Sequence, residues 1–347
     1  MTAPARVLAV DPAAPDPGAV AEAARVLRTG GLVGLPTETV YGLAANALDP
    51  AAVARIFAAK GRPSFNPLIA HVPDAAAARD LVTAWPDVAE RLAAAFWPGP
   101  LTLVLPKRPG LVPDAVTAGL PAVAVRVPAH PVALAVLRAA AVPLAAPSAN
   151  RYTELSPTSA AHVVLALGSR VDLVLDAGPS GVGIESTVVD LTAADGVPRV
   201  LRPGTLDQDA LSAAAGTPVR LAPPREPAAA ADAPRLAPGQ VDRHYAPRAA
   251  LRLFAPDESA APAAQLAAAR AATPPRVGAL LLSPWSAPVA LDEIVQMPAD
   301  AAGYAARLYA ALHALDAAGC DVILVERPPD TPAWAGVRDR LARGAHP

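Results

Sequence analysis

The stretch GGLVGLPTETVYGLAANA, residues 30–47, decides the fold. Its glycine pair follows the helical pattern PGAVAEAARVLRT and suits a helix C-cap, and LVGLP is then typical of a short buried strand. The polar groups of Thr37, Glu38, Thr39 and Tyr41 come directly after that strand, where an open α/β sheet places its ligands. The alternative is a turn rich in local threonine hydrogen bonds. Helix, strand and polar loop in this order predict an α/β domain.

Outward from this stretch, helical and extended patterns alternate along the chain. In DPAAVARIFAAKG, Asp49 suits the N-cap, Pro50 the first helical position and Gly61 the stop. Short apolar runs such as LIAHV, LTLVLP, AVAVRVP, DLVLDAG and STVVDL predict strands. Further helical stretches are predicted near 74–95, 130–140, 158–167 and 207–215. We therefore predict one α/β domain with a large twisted sheet over residues 1–215.

The chain changes character after this domain. Residues 216–248 are rich in Pro and Ala without an apolar period, which predicts an extended, stiff linker. The runs LRLF, VGALLL and DVILVE follow as strand candidates, with helices near 259–272, 299–318 and 332–343. This alternation predicts a smaller Rossmann-like parallel α/β domain over 249–347.

Composition excludes several classes of protein. The chain has 347 residues, 53% of them apolar, which is ample for a large core. A formal net charge of −2 gives no strong field for a polyanion, so we expect no strong direct binding of nucleic acid. Cys320 is the single cysteine, which excludes an internal disulfide framework and a cysteine-based zinc site. Neither a signal peptide nor a membrane span is visible, so we expect a cytoplasmic protein.

The segment AAKGRPSFNPLIAHV, residues 58–72, contains one of only two lysines in the chain. Lys60 and Arg62 form a short cationic pair, in which lysine suits phosphate as a point charge and arginine as a planar fork. The alternative is a solvated helix end, where the helix dipole favours cations. Asn66 follows nearby and is one of three asparagines.

Two arginines and one histidine lie in apolar strand patterns. Arg126 in AVRVP and Arg202 in LRPG are charges that need a partner or a ligand there. His71 in LIAHV has the simpler interpretation of a core histidine with its hydrogen bonds satisfied.

Turn residues supply the remaining candidates. Ser148 and Asn150 follow a strand in PSAN, and Ser186 begins one in GIESTVVD; plain turns and hydroxyl caps are the alternatives. His244 and Tyr245 are two ring side chains within the predicted linker, unexpected unless they dock on something.

Taken together, these residues describe an anion-binding cleft. Hydroxyl and amide donors accompany several cations, whereas paired acids of a glycosidase type and a protein metal cage are absent from the sequence pattern. Neither GxxxxGK[ST] nor GxGxxG is present, so a bound nucleotide is held in another way.

Eight motifs resemble the YrdC-like threonylcarbamoyl-AMP synthases in their long, two-domain form. In order they are GGLVGLPTETVYGLAANA, KGRPSFNPLIAHV, FWPGPLTLVLP, AVRVPAHP, AAPSAN with SPTSAAHV, GIESTVVD, LRPG and HYAP. The resemblance implies a YrdC-like mixed sheet with a concave cleft. It also implies that L-threonine, bicarbonate or CO₂, and ATP become L-threonylcarbamoyladenylate and pyrophosphate. A separate tRNA threonylcarbamoyl transferase would consume the product, and Mg²⁺ would be bound mainly through the phosphates with no metal ligand from the protein.

The resemblance also implies residue roles. The nucleotide phosphates would be bound by a tetrad consisting of Lys60, Arg62, Ser148 and Asn150. L-Threonine would be held by Thr37, His71, Arg126 and Ser186. ATP would be held by Arg62, Asn66, Ser148, Asn150, Arg202, His244 and Tyr245, with the linker closing over the cleft as a lid.

The sequence departs from the family at two places. Ala122 stands where the family often has Thr, which places one nucleotide hydrogen bond in doubt, and the last segment lacks the expected glycine-rich pattern. The main alternative function is a non-catalytic RNA-binding module of the same fold, although aromatic residues, at 4% of the chain, leave few stacking platforms.

Overall fold

The polypeptide is organised around two separate β-sheets in this computed structural model. The described residues are 5–223, 234–239, 243–255, 275–285 and 290–346. The first compact unit comprises Met1–Tyr152 and Ser156–Gln240, and the second comprises Thr153–Leu155 and Val241–Pro347. The predicted boundaries at 215 and 248, with a separate linker between them, stay a prediction.

Eleven strands of the described residues form the sheet of the first unit. They are β1 (Arg6–Ala9), β2 (Val33–Leu35), β3 (Gly42–Asn46), β4 (Ile69–His71), β5 (Leu101–Pro106), β6 (Ala122–Arg126), β7 (Leu144–Ala145), β8 (Leu173–Asp176), β9 (Thr187–Asp190), β10 (Arg199–Arg202) and β11 (Arg220–Leu221). The helices are α1 (Pro17–Arg28), α2 (Pro50–Lys60), α3 (Ala75–Asp80), α4 (Asp87–Phe96), α5 (Asp114–Thr117), α6 (Pro131–Ala140), α7 (Ala160–Leu167) and α8 (Gln208–Ala215), and a 3₁₀ turn covers Gly168–Arg170.

The strand order is β1-β8-β2-β3-β7-β4-β6-β5-β9-β10-β11, with parallel and antiparallel neighbours. β4 and β6 run parallel and set His71 beside Arg126, while β5 pairs antiparallel with β6 and parallel with β9. The mixed sheet confirms the predicted fold class of this unit.

Side-chain alternation gives the central strands two different faces. One face belongs to the main core, with Ala70, Leu103 and Val125 buried in it. The other carries a smaller apolar cluster formed by Ile69, Val104, Ala122, Ala124, Val188 and Ala237, with Leu201 and Leu236 packed against it. Positions two residues away on this second face include His71, Thr102, Arg126 and Ser186, so polar side chains border an apolar patch.

Helix α2 begins and ends as its sequence predicts. The Asp49 side chain accepts a hydrogen bond from the Ala51 backbone nitrogen, and Pro50 is the first helical residue. Gly61 closes the helix with φ of 63°, a left-handed conformation that glycine adopts without a steric penalty. Lys60 therefore ends the helix, and Arg62 lies in the following loop.

The helical stretch predicted near 74–95 is divided into α3 and α4. Between them, Val82 pairs with Lys107 in an isolated bridge, and the Thr83 nitrogen donates to the Pro106 carbonyl at 3.0 Å. Pro86 is the N-cap of α4, and its ring removes the backbone donor that a continuous helix would need.

The second unit has a parallel sheet of four described strands in the order β12-β15-β13-β14. They are β12 (Ala250–Phe254), β13 (Val277–Leu281), β14 (Glu293–Gln296) and β15 (Val322–Glu326), with helices α9 (Ala301–Ala317) and α10 (Ala335–Gly344) and a 3₁₀ turn at Pro332–Trp334. Every pairing in this sheet is parallel, which confirms the predicted parallel α/β domain. The helix predicted near 259–272 lies outside the described residues. Cys320 is buried, as predicted for a core thiol.

No helix within the described ranges is long and apolar enough to cross a membrane.

Candidate functional site

The loop between β2 and β3 is held by hydrogen bonds at both ends. The Thr37 hydroxyl donates to the Val40 carbonyl at 2.5 Å and lies 2.9 Å from the Thr39 hydroxyl. The Ser180 hydroxyl donates to the Thr37 carbonyl at 2.9 Å, and the Val182 nitrogen donates to the Glu38 carbonyl at 2.7 Å. The predicted local hydrogen bonds of the threonine hydroxyls are thus present. The loop that contains Ser180 and Val182 also holds the β2–β3 loop by hydrogen bonds.

Arg126 connects this loop to the sheet. At the end of β6, its Nη1 donates to the Thr39 hydroxyl at 2.9 Å and its Nη2 to Glu38 Oε1 at 2.7 Å. Its Nε donates to the Gly99 carbonyl at 3.3 Å, and the side chain is 4% exposed. The charge predicted to need a partner therefore has one, and three separate contacts fix the plane of the guanidinium.

His71 lies beside Arg126 in the register of β4 and β6. Its Nδ1 is 3.2 Å from the Ile69 carbonyl oxygen, and the residue is buried. Burial lowers the pKa of His71 to about 3, and the positive charge of Arg126 acts in the same direction. The imidazole is therefore neutral at physiological pH.

Lys60 binds the turn that follows β7. Its Nζ donates to the Ser148 carbonyl at 2.6 Å, the Asn150 carbonyl at 2.6 Å and Asn150 Oδ1 at 3.3 Å. Lys60 is 3% exposed, whereas Ser148 is half-buried. The ammonium group thus orients the turn in addition to supplying a positive charge.

Arg62 and Asn66 form a neighbouring group. The Arg62 Nε and Nη2 donate to the carbonyls of Asn66 and Pro67 at 3.2 and 2.8 Å. Asn66 Nδ2 donates to the Tyr152 hydroxyl at 3.3 Å, and Arg62 lies over the Tyr152 ring with 6.0 Å between its guanidinium carbon and the ring centroid. Asn66 Oδ1 is buried and accepts no hydrogen bond from the part of the chain that is described. A buried acceptor of this kind suits a ligand that donates.

Ser186 and Arg202 lie together at the ends of β9 and β10. The Arg202 Nε and Nη2 donate to the Ser186 carbonyl at 3.1 and 3.0 Å, and Nη2 lies 3.2 Å from the Ser186 hydroxyl. The Thr102 hydroxyl is 2.8 Å from that of Ser186. Arg202 Nη1 also donates to the Pro238 carbonyl at 3.4 Å, so a segment within the predicted linker borders this group.

Four buried cations of the site are each anchored on backbone carbonyls. Lys60, Arg62, Arg126 and Arg202 are all buried, and each donates to at least one backbone carbonyl. Anchored cations lose little conformational freedom when an anion binds, which is the property of a preorganised anion site.

His244 and Tyr245 lie in the second unit, and both are buried. Their ring centroids are 4.0 Å apart, and the Tyr245 ring is 6.0 Å from that of Tyr309 and 5.0 Å from the guanidinium carbon of Arg340. Tyr245 has φ of 60°, a left-handed conformation that is costly for a bulky residue.

Several residues of the site escaped the sequence analysis. Glu38 stood in the polar loop without a role, and the loop that clamps it was not identified. Ser156 and Glu185 form a buried pair in which the serine hydroxyl donates to the carboxylate. An acid within GIESTVVD, next to Ser186, was the available signal for Glu185.

The fold and site define an α/β protein in which buried cations from strands, a helix end and a loop are anchored on backbone carbonyls. Residues 25–204 match the family of Sua5, YciO and YrdC proteins, described as telomere recombination. Residues 207–346 match the C-terminal domain of threonylcarbamoyl-AMP synthases. The chain belongs to the Sua5/YciO/YrdC family, which confirms the resemblance inferred from the motifs.

Relatives and solved structures agree with this membership. The threonylcarbamoyl-AMP synthase of Bacillus subtilis is 39% identical over 94% of this chain and 92% of its own length. That of Pyrococcus abyssi is 40% identical over 93% of both chains. The crystal structure of P. abyssi Sua5 complexed with L-threonine aligns with a TM-score of 0.86 at 37% identity, covering 98% of this chain and 97% of the other. Escherichia coli YciO, at a TM-score of 0.53 and 24% identity, covers 60% of this chain and 99% of its own, and bears on the fold alone.

Proposed function

We propose that this protein makes L-threonylcarbamoyladenylate and pyrophosphate from L-threonine, bicarbonate or CO₂, and ATP. It is a threonylcarbamoyl-AMP synthase, the enzyme that relatives at 39–40% identity over nearly the whole chain are named for. The same relatives give no support to a non-catalytic RNA-binding module. The product is the first intermediate of threonylcarbamoyladenosine formation in tRNA.

The observation that carries the residue assignment is the set of four carbonyl-anchored cations. We assign L-threonine to Thr37, His71, Arg126 and Ser186. We assign ATP to Arg62, Asn66, Ser148, Asn150, Arg202, His244 and Tyr245. Lys60 supports the ATP group by holding the turn of Ser148 and Asn150.

The chemistry needs these residue types. The threonine amine adds to CO₂ and releases a proton, which gives a carbamate. A carbamate oxygen then attacks the α-phosphorus of ATP, and the bond to pyrophosphate breaks. Negative charge grows on phosphate oxygens in this step, and preorganised cations stabilise it more than mobile ones do. Neutral His71 adds no positive charge beside Arg126, so the guanidinium remains the main attraction for the substrate carboxylate.

We propose that Mg²⁺ enters the site bound to ATP. In the described part of the chain, no group of three or more His, Cys, Asp or Glu side chains is placed to hold a metal ion. Mg²⁺ would be bound through phosphates and water, where it would neutralise triphosphate charge.

The predicted linker is proposed to close the ATP site, although its residues 224–233 and 240–242 lie outside the described residues. Ala237 is buried against the apolar patch of the polar sheet face, and Pro238 accepts the hydrogen bond from Arg202. Strained backbone at Tyr245 is of the kind that clusters in functional segments. Closure would exclude water from the carbamate and the mixed anhydride. We also propose a cytoplasmic location and a tRNA threonylcarbamoyl transferase as the consumer of the product.

Direct identification of the product tests the proposal. The protein is incubated with ATP, Mg²⁺, L-threonine and ¹³C-bicarbonate, and the mixture is analysed by mass spectrometry. We expect an adenylate that contains both threonine and the labelled carbon. A folded protein that yields no labelled adenylate would contradict the assignment.

A further inference from the structure

Glu38 is the one acid of the β2–β3 loop, and its two carboxylate oxygens differ. Oε1 accepts a hydrogen bond from Arg126 Nη2 at 2.7 Å. Oε2 is buried and accepts no hydrogen bond from any residue that the structure describes. The side chain as a whole is 14% exposed, so water has little access to it. A buried charged acceptor without a donor is costly and calls for an explanation.

The position of Glu38 is imposed by its neighbours on both sides. Its backbone carbonyl accepts from the Val182 nitrogen at 2.7 Å, and the Thr39 carbonyl accepts from the Gly183 nitrogen at 3.0 Å. Arg126 in turn is held by Thr39 and Gly99. The backbone of Glu38 and the guanidinium of Arg126 are thus each held by further contacts, and the ion pair between them places Oε2 beside the guanidinium.

We propose that Glu38 Oε2 accepts a hydrogen bond from the α-amine of bound threonine. This inference rests on the proposed function, in which Arg126 takes the α-carboxylate. The ion pair of Glu38 and Arg126 then complements both charges of an amino acid, anion to ammonium and cation to carboxylate. Glu38 is a specificity-determining residue that selects amino acids over carboxylic acids that lack the α-amine.

Electrostatics support the assignment of the α-amine to Glu38 and of the α-carboxylate to Arg126. A carboxylic acid without an amine would bring its negative charge next to that of Glu38, and like charges at such a site are repelled. The ammonium group of an amino acid lies between its own carboxylate and that of Glu38, and its positive charge removes the repulsion between them. The charge of Glu38 also acts on His130, but burial lowers the pKa of His130 more than Glu38 raises it, so this imidazole is neutral at physiological pH.

The simpler alternative is that Glu38 only supports Arg126. In that case, the carboxylate would orient the guanidinium and have no contact with substrate. Loss of Glu38 would then weaken every ligand that uses Arg126 to a similar extent, whether or not the ligand has an amine. The two roles therefore differ in their dependence on the amine.

The test compares two ligands that differ only in the amine. Dissociation constants of L-threonine and (R)-3-hydroxybutanoate are measured by calorimetry for the full-length wild type and for Glu38→Gln, which keeps the shape of the side chain. We expect Glu38→Gln to weaken threonine about tenfold or more, as for loss of a charge-assisted hydrogen bond. The affinity for (R)-3-hydroxybutanoate should stay the same or increase, because the repelling charge of Glu38 is removed. Equal weakening of both ligands, or unchanged threonine affinity, would overturn the inference.

Two controls keep the result interpretable. Glu38→Asp retains the charge with a shorter reach, and we expect it to recover part of the preference for threonine. It also replaces Glu38→Gln as the test variant if thermal unfolding shows that the glutamine variant is not folded. A wild type that binds no threonine would overturn the proposed function together with this inference, whereas equal weakening of both ligands would overturn the inference alone.

Discussion

Lys60 and Asn150 are joined by two hydrogen bonds from a single ammonium group. Lys60 Nζ donates to the Asn150 carbonyl at 2.6 Å and to its Oδ1 at 3.3 Å. A residue at the end of α2 thereby determines the shape of a turn 90 residues further along the chain. A positive charge held in this way serves both the structure of the turn and the attraction of phosphate.

Replacing Lys60 should therefore affect stability and ATP binding together. Lys60→Met leaves buried carbonyls without a donor, and we expect the free energy of unfolding in urea to fall by about 2 kcal/mol. We expect the affinity for ATP to fall at least about tenfold. Lys107→Met is the matched control for ATP binding, since Lys107 donates to Asp114 and Thr117 outside the proposed site, and we expect its ATP affinity to stay unchanged. Similar behaviour of the two variants would remove Lys60 from the site.

The guanidinium plane of Arg126 should matter for threonine and not for ATP. Arg126→Lys keeps the charge but cannot reproduce donation to Gly99, Thr39 and Glu38 together. We expect the KM for threonine to rise about tenfold or more, with the KM for ATP within about threefold, in steady-state assays. Arg55→Lys serves as control because Arg55 pairs with Asp172 at an exposed position. Equal increases in both KM values would show that Arg126 is misassigned.

His71 should make the protein sensitive to acid. Its folded-state pKa of about 3 is below the value of about 6.5 in an unfolded chain, so between these values the unfolded state binds the proton and the folded state does not. The stability due to neutral His71 is complete above pH 6.5 and is lost as the pH falls toward 3. We expect the free energy of unfolding of His71→Gln to depend less steeply on pH between 6.5 and 4 than that of the wild type.

The control for this experiment is His346→Gln, because His346 is exposed near the end of the chain. The free energy of unfolding of His346→Gln, measured in urea, should depend on pH as steeply as that of the wild type between pH 6.5 and 4. If the free energy of unfolding of His71→Gln depends on pH as steeply as that of the wild type, His71 is not buried in its neutral form.

Restoring the hydroxyl expected at position 122 should improve ATP binding. Ala122 lies on the same face of β6 as Arg126 and is 8% exposed. Ala122→Thr adds one potential hydrogen bond, worth about 1 kcal/mol, so we expect the KM for ATP to fall a few-fold. Ala124→Thr places the same group two residues further along this face and should not improve ATP binding. An unchanged KM in Ala122→Thr would show that this position does not contact the nucleotide.

Local signals in the sequence were sufficient for many elements of the fold. The cap at Asp49, the first-turn Pro50 and the stop at Gly61 predicted α2 because each acts within a few residues. The apolar runs of β4 and β6 likewise predicted strands. Their order in the sheet was not predictable, since β7 lies between β3 and β4 through pairings that depend on tertiary packing.

The candidate residues could be named from the sequence, but their partners could not. Glu38 and Arg126 are 88 positions apart, and only the folded sheet brings them together. Arg202 and Ser186 are nearer in sequence, yet they meet next to a pairing of β9 and β10 whose register shifts between Val200 and Arg202. The carbonyl anchoring of the four cations is likewise a property of loops whose backbone course short-range patterns do not encode.

Pyrophosphate release is the measurement that tests the central claim most directly. The full-length protein is assayed with ATP, Mg²⁺ and bicarbonate, without amino acid and with L-threonine, L-serine or L-valine. We predict release that depends on L-threonine and is slower with serine, which lacks the methyl group, and with valine, which lacks the hydroxyl group. Folded protein that releases no pyrophosphate with threonine, or releases it equally without any amino acid, would contradict the account.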